Sequence, residues 1–245
     1  MLTPTHTEPP YPAVLYLHAH GHRYQIGKSE LFAPRADGFI PAADLTAAGY
    51  AVLCADAYAF GARQHPDEIT RFKAFLWEGK TLWGMMLRDD LIALDYLCAH
   101  PHIDAERVGA IGMSMGSTRA WWLAALDDRV AVTVAIACLP RYADLAAANA
   151  YAAHSIYFYL PAIRQHTDTE HILSHIAPRP LLALTGDQDP TSPLSGVKTI
   201  EAHLRRIYAR HSAPGHFHNI IYPNTGHTFS AAMWQETLDW LAHHL

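Results

Sequence analysis

The stretch Arg107-Val-Gly-Ala-Ile-Gly112-Met-Ser114-Met-Gly116-Ser-Thr-Arg-Ala-Trp121 decides the fold. Its first half is a short, nearly continuous apolar run of the kind that forms a strand covered on both faces, and from Ser117 to Leu126 the pattern is helical. Between them lies a Gly-x-Ser-x-Gly pentapeptide, the signature of a tight strand-to-helix turn that holds a serine at the carboxyl edge of a sheet. The turn strains the serine backbone, and the flanking glycines let strand and helix approach each other. Ser114 is therefore the candidate nucleophile. The backbone N–H of Met115, at the start of the helix, is a candidate donor to a developing oxyanion, with the helix dipole adding to it.

The strand pattern recurs on either side. Pro12 to His18, Tyr50 to Asp56, Val130 to Ala137 and Arg179 to Thr185 are similar apolar runs, and Phe217 to Tyr222 is a weaker sixth. Leu82, Met86, Leu87, Leu91, Leu94 and Leu97 follow a helical period between them, as do Val197, Ile200, Leu204 and Ile207, and then Met233, Trp234, Leu238 and Leu241. Strands alternating with helices predict an α/β fold, a mostly parallel sheet of about six strands with helices on both faces. No linker composition divides residues 1–245, so one domain is expected. Its longest interruption, about 139–178, exceeds an ordinary connection between strands and is expected to form a short cap over the strand ends.

A serine hydroxyl is a poor nucleophile until a base takes its proton, so a carboxylate and then a histidine should follow in the chain. After Thr185 comes Gly186-Asp187-Gln-Asp189-Pro-Thr-Ser-Pro, and after Tyr222 comes Asn224-Thr-Gly-His227-Thr-Phe. Both loops leave carboxyl ends of strands, where sites in open α/β sheets are built. Asp187, one step off its strand, is expected to bond N–H groups of its own loop. Asp189 is then the acid and His227 the base.

With these motifs in view, the chain resembles the α/β-hydrolase superfamily, and within it the dienelactone-hydrolase-like and acetyl-xylan-esterase-like serine esterases. The resemblance runs from Ala13 to Leu245. It rests on Leu17-His18-Ala19-His20-Gly21, on Asp56 followed by Phe60-Gly61-Ala-Arg63, on the Gly112 to Gly116 turn, on Ala177-Pro-Arg-Pro-Leu-Leu, on Gly186-Asp-Gln-Asp189 and on Gly226-His227. It implies that Asp189 is the acid and that the loop after the first strand supplies a second oxyanion N–H, from His20. The chain departs from its relatives in having His18-Ala19 where His-Gly is common, and Ser114 where dienelactone hydrolases proper carry cysteine. Relatives also begin with two extra strands, whereas about ten residues precede Pro12 here. The expectation is a shortened sheet with the Tyr50 to Asp56 strand near an edge, or a late start to the sequence. An exposed edge invites pairing and leaves a homodimer open.

The chain has 18 Lys plus Arg against 23 Asp plus Glu, a formal charge of −5, and no basic face for nucleic acid. No apolar run reaches the roughly 18 to 20 residues of a membrane helix, and the Thr/Pro-rich start lacks the basic-then-apolar pattern of a signal peptide. A cytoplasmic protein acting on a small-molecule ester is expected. Of the 18 histidines, His18, His20 and His22 alternate like metal ligands, but no carboxylate or cysteine follows at ligand spacing, so neither metal nor cofactor is expected. Arg63, Trp83, His154, Tyr157 and Tyr159 are candidates for the substrate pocket, since aromatics with polar tips suit an acylated sugar or an aryl ester. Peptidases of the prolyl-oligopeptidase type and acyltransferases use the same triad order. A non-catalytic binding module on this fold would lack the triad, which here is complete in sequence.

Overall fold

The computed structural model describes residues 1–245. Six strands, β1 (Tyr11–Leu17), β2 (Ala51–Leu53), β3 (Ile103–Met113), β4 (Val132–Ile136), β5 (Leu181–Gly186) and β6 (Phe217–Tyr222), form one sheet in the order β2-β1-β3-β4-β5-β6. Every neighbouring pair is parallel. Nine helices surround it: α1 (Pro41–Ala47), α2 (Glu68–Trp77), α3 (Leu82–Ala99), α4 (Met115–Leu126), α5 (Tyr142–Ala147), α6 (Ile163–His166), α7 (Thr169–Leu173), α8 (Leu194–Arg210) and α9 (Ala231–His244).

The continuous apolar character of the central strands follows from burial on both faces. Ala13, Leu15 and Leu17 of β1 join the larger core, under α3, α4, α7 and α8, while Val14 and Tyr16 face the smaller core under α1 and α9. β5 alternates likewise, with Leu181 and Ala183 on one side and Leu182 and Leu184 on the other. A period of two thus persists, hidden in the sequence because both faces require apolar side chains.

The sequence reading of the sheet holds, with β2 and β4 shorter than the apolar runs that contain them. β2 stops at Leu53 because the chain beyond it bonds to loops. The Ala57 N–H donates to His18 Nε2, and the Asp56 carboxylate accepts from the N–H groups of Lys28 and Ala62 and from Lys28 Nζ. β2 is an edge strand, and its outer side carries a single antiparallel bridge to Leu2.

Between β4 and β5, residues 139–178 hold α5, α6, α7 and several single turns of 3-10 helix. Leu145, Phe158, Ile172 and Leu173 anchor this segment in the larger core. An ion pair of Arg141 with Glu170, at 2.8 Å, closes it on itself.

Candidate active site

The turn at Ser114 has the strained geometry its sequence requires. Ser114 lies at φ 59° and ψ −119°, a conformation that a residue with a side chain adopts only where its surroundings impose it. Its N–H donates to the Ile136 carbonyl of β4 at 2.9 Å, and its carbonyl accepts from the Thr118 N–H at 3.1 Å. The glycines let the strands close around it. A Cβ on Gly112 would stand 2.5 Å from the Leu17 carbonyl oxygen, and one on Gly116 only 1.8 Å from the same atom.

Ser114 Oγ lies 2.9 Å from His227 Nε2, and His227 Nδ1 lies 2.8 Å from Asp189 Oδ2. The Asp189 side chain is fully buried, and its other oxygen accepts from the Thr191 N–H and hydroxyl at 2.8 and 2.7 Å. A carboxylate so held cannot swing away from the imidazole. The two loops carrying these groups are joined to each other. Gln188 N–H donates to the Thr225 carbonyl at 2.9 Å, and Asp187 Oδ1 accepts from the Thr225 N–H at 3.1 Å. Asp187 therefore bonds the histidine loop rather than its own.

The loop after β1 is fixed by its side chains. His18 is completely buried with both ring nitrogens engaged. Nδ1–H donates to the Ala19 carbonyl at 2.9 Å, and Nε2 accepts from Ala57 at 3.0 Å. Burial, and next the nearby Arg119, push its pKa down to about 3, so the ring is neutral. The Ala19 N–H is taken by the Glu30 carboxylate at 3.2 Å, whereas the next N–H along, that of His20, has no acceptor within the chain. The His20 ring is also held on both sides, by Glu68 Oε1 at 3.2 Å and by the His22 N–H at 3.1 Å. His18 and His20 thus direct their ring bonds into the protein.

A cavity of about 190 Å³ opens beside Ser114, lined by His20, His22, His154, Tyr157, Thr191 and His227 among others. Across His20 and His227 lies a second recess of about 460 Å³, with Arg23, Arg35, Met113 and Phe229 in its wall. His154 is neutral, its pKa pushed down to about 4 chiefly by burial, and its Nε2–H donates to the Thr191 carbonyl at 2.9 Å. Tyr157 stacks on His20, with ring centroids 5.4 Å apart.

The other three pocket candidates lie elsewhere. Arg63 pairs with Asp89 at 2.6 Å and lies over the Tyr58 ring. Trp83 is buried in the core against Tyr157, Trp122 and Phe158. Tyr159 bonds the Tyr151 carbonyl and lines a separate, largely apolar cavity of about 460 Å³ with Tyr142 and Leu145. Sequence reasoning missed Thr191, although a threonine two residues after an aspartate is a turn pattern in which it bonds that carboxylate. It also missed Glu68 and Ser155, which carry no local signal.

The sequence profile of the dienelactone hydrolase family matches residues 40–245. The chain belongs to this family. A family relative from Bacillus subtilis (strain 168), named "Putative hydrolase YtaP", is 39% identical over 240 residues, covering 97% of this chain and 80% of its own. The family fold recurs in solved structures. A "putative acetyl xylan esterase" of Bacteroides fragilis superposes with a TM-score of 0.71 at 18% identity, over 90% of this chain and 61% of that one. A glucuronoyl esterase from Solibacter usitatus gives 0.70 at 16% identity, over 98% and 75%. The chain thus spans less than two thirds of the length of the first of these structures. The expected fold and family resemblance are both met, and the protein is a hydrolase-family member whose structural neighbours include esterases. No helix is long and apolar enough to cross a membrane.

Proposed function

We propose that this protein is a serine esterase acting through an acyl-enzyme on short-acyl esters of sugars or aryl alcohols. The observation that carries the reading is the unbroken relay Ser114 Oγ, His227 and Asp189, at 2.9 and 2.8 Å, built on a serine in strained backbone geometry. Such a relay occurs where a hydroxyl must be deprotonated as it attacks.

Ser114 Oγ attacks the ester carbonyl while His227 Nε2 takes its proton. Asp189 holds Nδ1–H and stabilises the imidazolium. The N–H groups of Met115 and His20 receive the oxyanion, one at the positive end of α4 and the other free of any acceptor in the chain. When the tetrahedral intermediate collapses, the C–O bond to the alcohol breaks and His227 returns the proton to the leaving oxygen. Water, deprotonated by His227, then repeats the sequence on the acyl-enzyme and releases the acid and Ser114.

The cavity of about 190 Å³ beside Ser114 suits a short acyl group, and the larger recess across His227 suits the alcohol. The esterases among the structural neighbours support the same reaction class. The test is hydrolysis of p-nitrophenyl acetate and butyrate by the wild type and by Ser114→Ala. The variant should lose about 10³-fold or more in kcat. Turnover equal to wild type in Ser114→Ala overturns the reading.

A further inference from the structure

Glu68 is a buried carboxylate beside the site that the relay does not use. It sits at the first turn of α2 and is 5% exposed. Three donors from two other parts of the chain converge on it. His20 Nε2–H reaches Oε1 at 3.2 Å, while the Tyr24 hydroxyl at 3.0 Å and the Ser155 hydroxyl at 2.6 Å reach Oε2. Burial alone would raise its pKa, but the bonds from His20 and Ser155 outweigh that and keep it below the usual glutamate range. The group is an anion at neutral pH.

That anion fixes a tautomer. The His22 N–H approaches His20 Nδ1 at 3.1 Å, and an N–H can donate only to a bare nitrogen. The single ring proton of His20 therefore sits on Nε2, facing Glu68. In this state the ring bonds the carboxylate at one end and its own loop at the other. The loop needs such support, because Gly21 and His22 are consecutive residues with positive φ, 51° and 53°. For His22 this is an unfavourable conformation. The Tyr157 ring, two residues from Ser155, stacks on the imidazole. His20 lines the cavity shared with Ser114, and its backbone N–H has no acceptor within the chain.

We propose that Glu68 is a positioning residue for catalysis, orienting the oxyanion N–H of His20 through the His20 ring. The proposal rests on the serine esterase reading. Ground-state binding makes little use of this N–H, whereas the tetrahedral intermediate depends on its direction, so the effect belongs in kcat. Glu68→Ala should lower kcat about 10- to 100-fold and change KM less than about threefold. Glu68→Gln keeps the volume and an oxygen that can accept from Nε2–H, and should recover part of the loss.

Because Glu68 acts through a side chain, His20→Ala should cost a similar factor while its backbone N–H remains. Adding Glu68→Ala to His20→Ala should then cost no more than about twofold, since the two changes remove one interaction. The experiment measures kcat and KM of the three single variants and the double variant on p-nitrophenyl acetate, with melting temperatures for each and Ser114→Ala alongside. Wild-type kcat in folded Glu68→Ala overturns the proposal while Ser114→Ala stays inactive. Multiplicative losses in the double variant overturn the action through His20. Full activity in Ser114→Ala removes the underlying reading itself, an outcome distinct from the other two.

Discussion

The carbonyl oxygen of Leu17 and the α-carbon of Gly116 approach so closely that a single methyl on Gly116 would lie 1.8 Å from that oxygen. The end of β1, which leads into the loop carrying His20, and the first turn of α4, which follows Ser114, are locked together by the absence of one side chain. Gly116→Ala forces either β1 or α4 to move, and under the proposed mechanism both movements displace an oxyanion donor from Ser114. The variant should lose about 1–3 kcal/mol of stability in urea and at least about tenfold in kcat. Gly215→Ala, where an added Cβ meets nothing within 4 Å, should stay within about 0.5 kcal/mol of wild type. Equal behaviour of the two variants would contradict the packing argument.

The two aspartates in the loop after β5 are expected to do separable work. Asp189→Asn keeps the shape of the carboxylate but presents an amide to His227 Nδ1, which removes the charge and disturbs the tautomer. A loss in kcat of about 10³- to 10⁴-fold is expected. Asp187→Asn retains an oxygen that can accept from the Thr225 N–H and should cost less than about tenfold. Steady-state rates of both variants decide the matter, and the reverse ranking would move the acid role to Asp187.

Which parts of this site are legible in the sequence follows from what local pattern can encode. Ser114, Asp189 and His227 each lie a few residues past an apolar run, so strand ends alone bring them to one edge. The pocket is different, because it depends on strand order. Arg63 follows β2, whose carboxyl end lies on the same sheet edge as Ser114, but β1 stands between β2 and β3, and Arg63 turns to Asp89. Trp83 and Tyr159 have the same sequence signature as Tyr157. Whether an aromatic lines a cavity or fills a core depends on contacts remote in the chain. Glu68 lies 48 residues from His20, on a helix whose exposed Ile69, Leu76 and Trp77 blur its amphipathic stripe, so no spacing pattern announces it.

Behind Ser114, Arg119 of α4 and Asp90 of α3 form an ion pair with both side chains almost wholly buried, at 2.5 and 2.9 Å. Removing one partner leaves an uncompensated charge in the core. Asp90→Ala should cost about 3–5 kcal/mol, whereas replacing both, as Asp90→Leu with Arg119→Met, should recover most of that loss. Urea denaturation of the three proteins tests this, and a double variant no more stable than Asp90→Ala would show that the loss does not come from an unpaired Arg119 charge.

His18 and His154 make stability depend on pH in a known direction. Burial lowers their pKa values to about 3 and about 4, against 6.5 for an exposed histidine. Between those limits the unfolded chain binds protons that the folded chain refuses, so acid favours unfolding. The stability they confer is complete above about pH 6.5 and falls as the pH drops toward the folded values, by up to about 1.4 kcal/mol per pH unit for each ring. Acidic side chains add their own slope at the lower end of this range, so the comparison must be a difference between proteins. His18→Gln places an amide oxygen where Nε2 accepts the Ala57 N–H but carries no titrating group. Its unfolding free energy, measured in urea from pH 7 to 4.5, should decline with a slope shallower than wild type by about one proton. Parallel slopes in the two proteins would mean that His18 is protonated in the folded state at these pH values, and that its bond from Ala57 is not the one that holds the loop after β2.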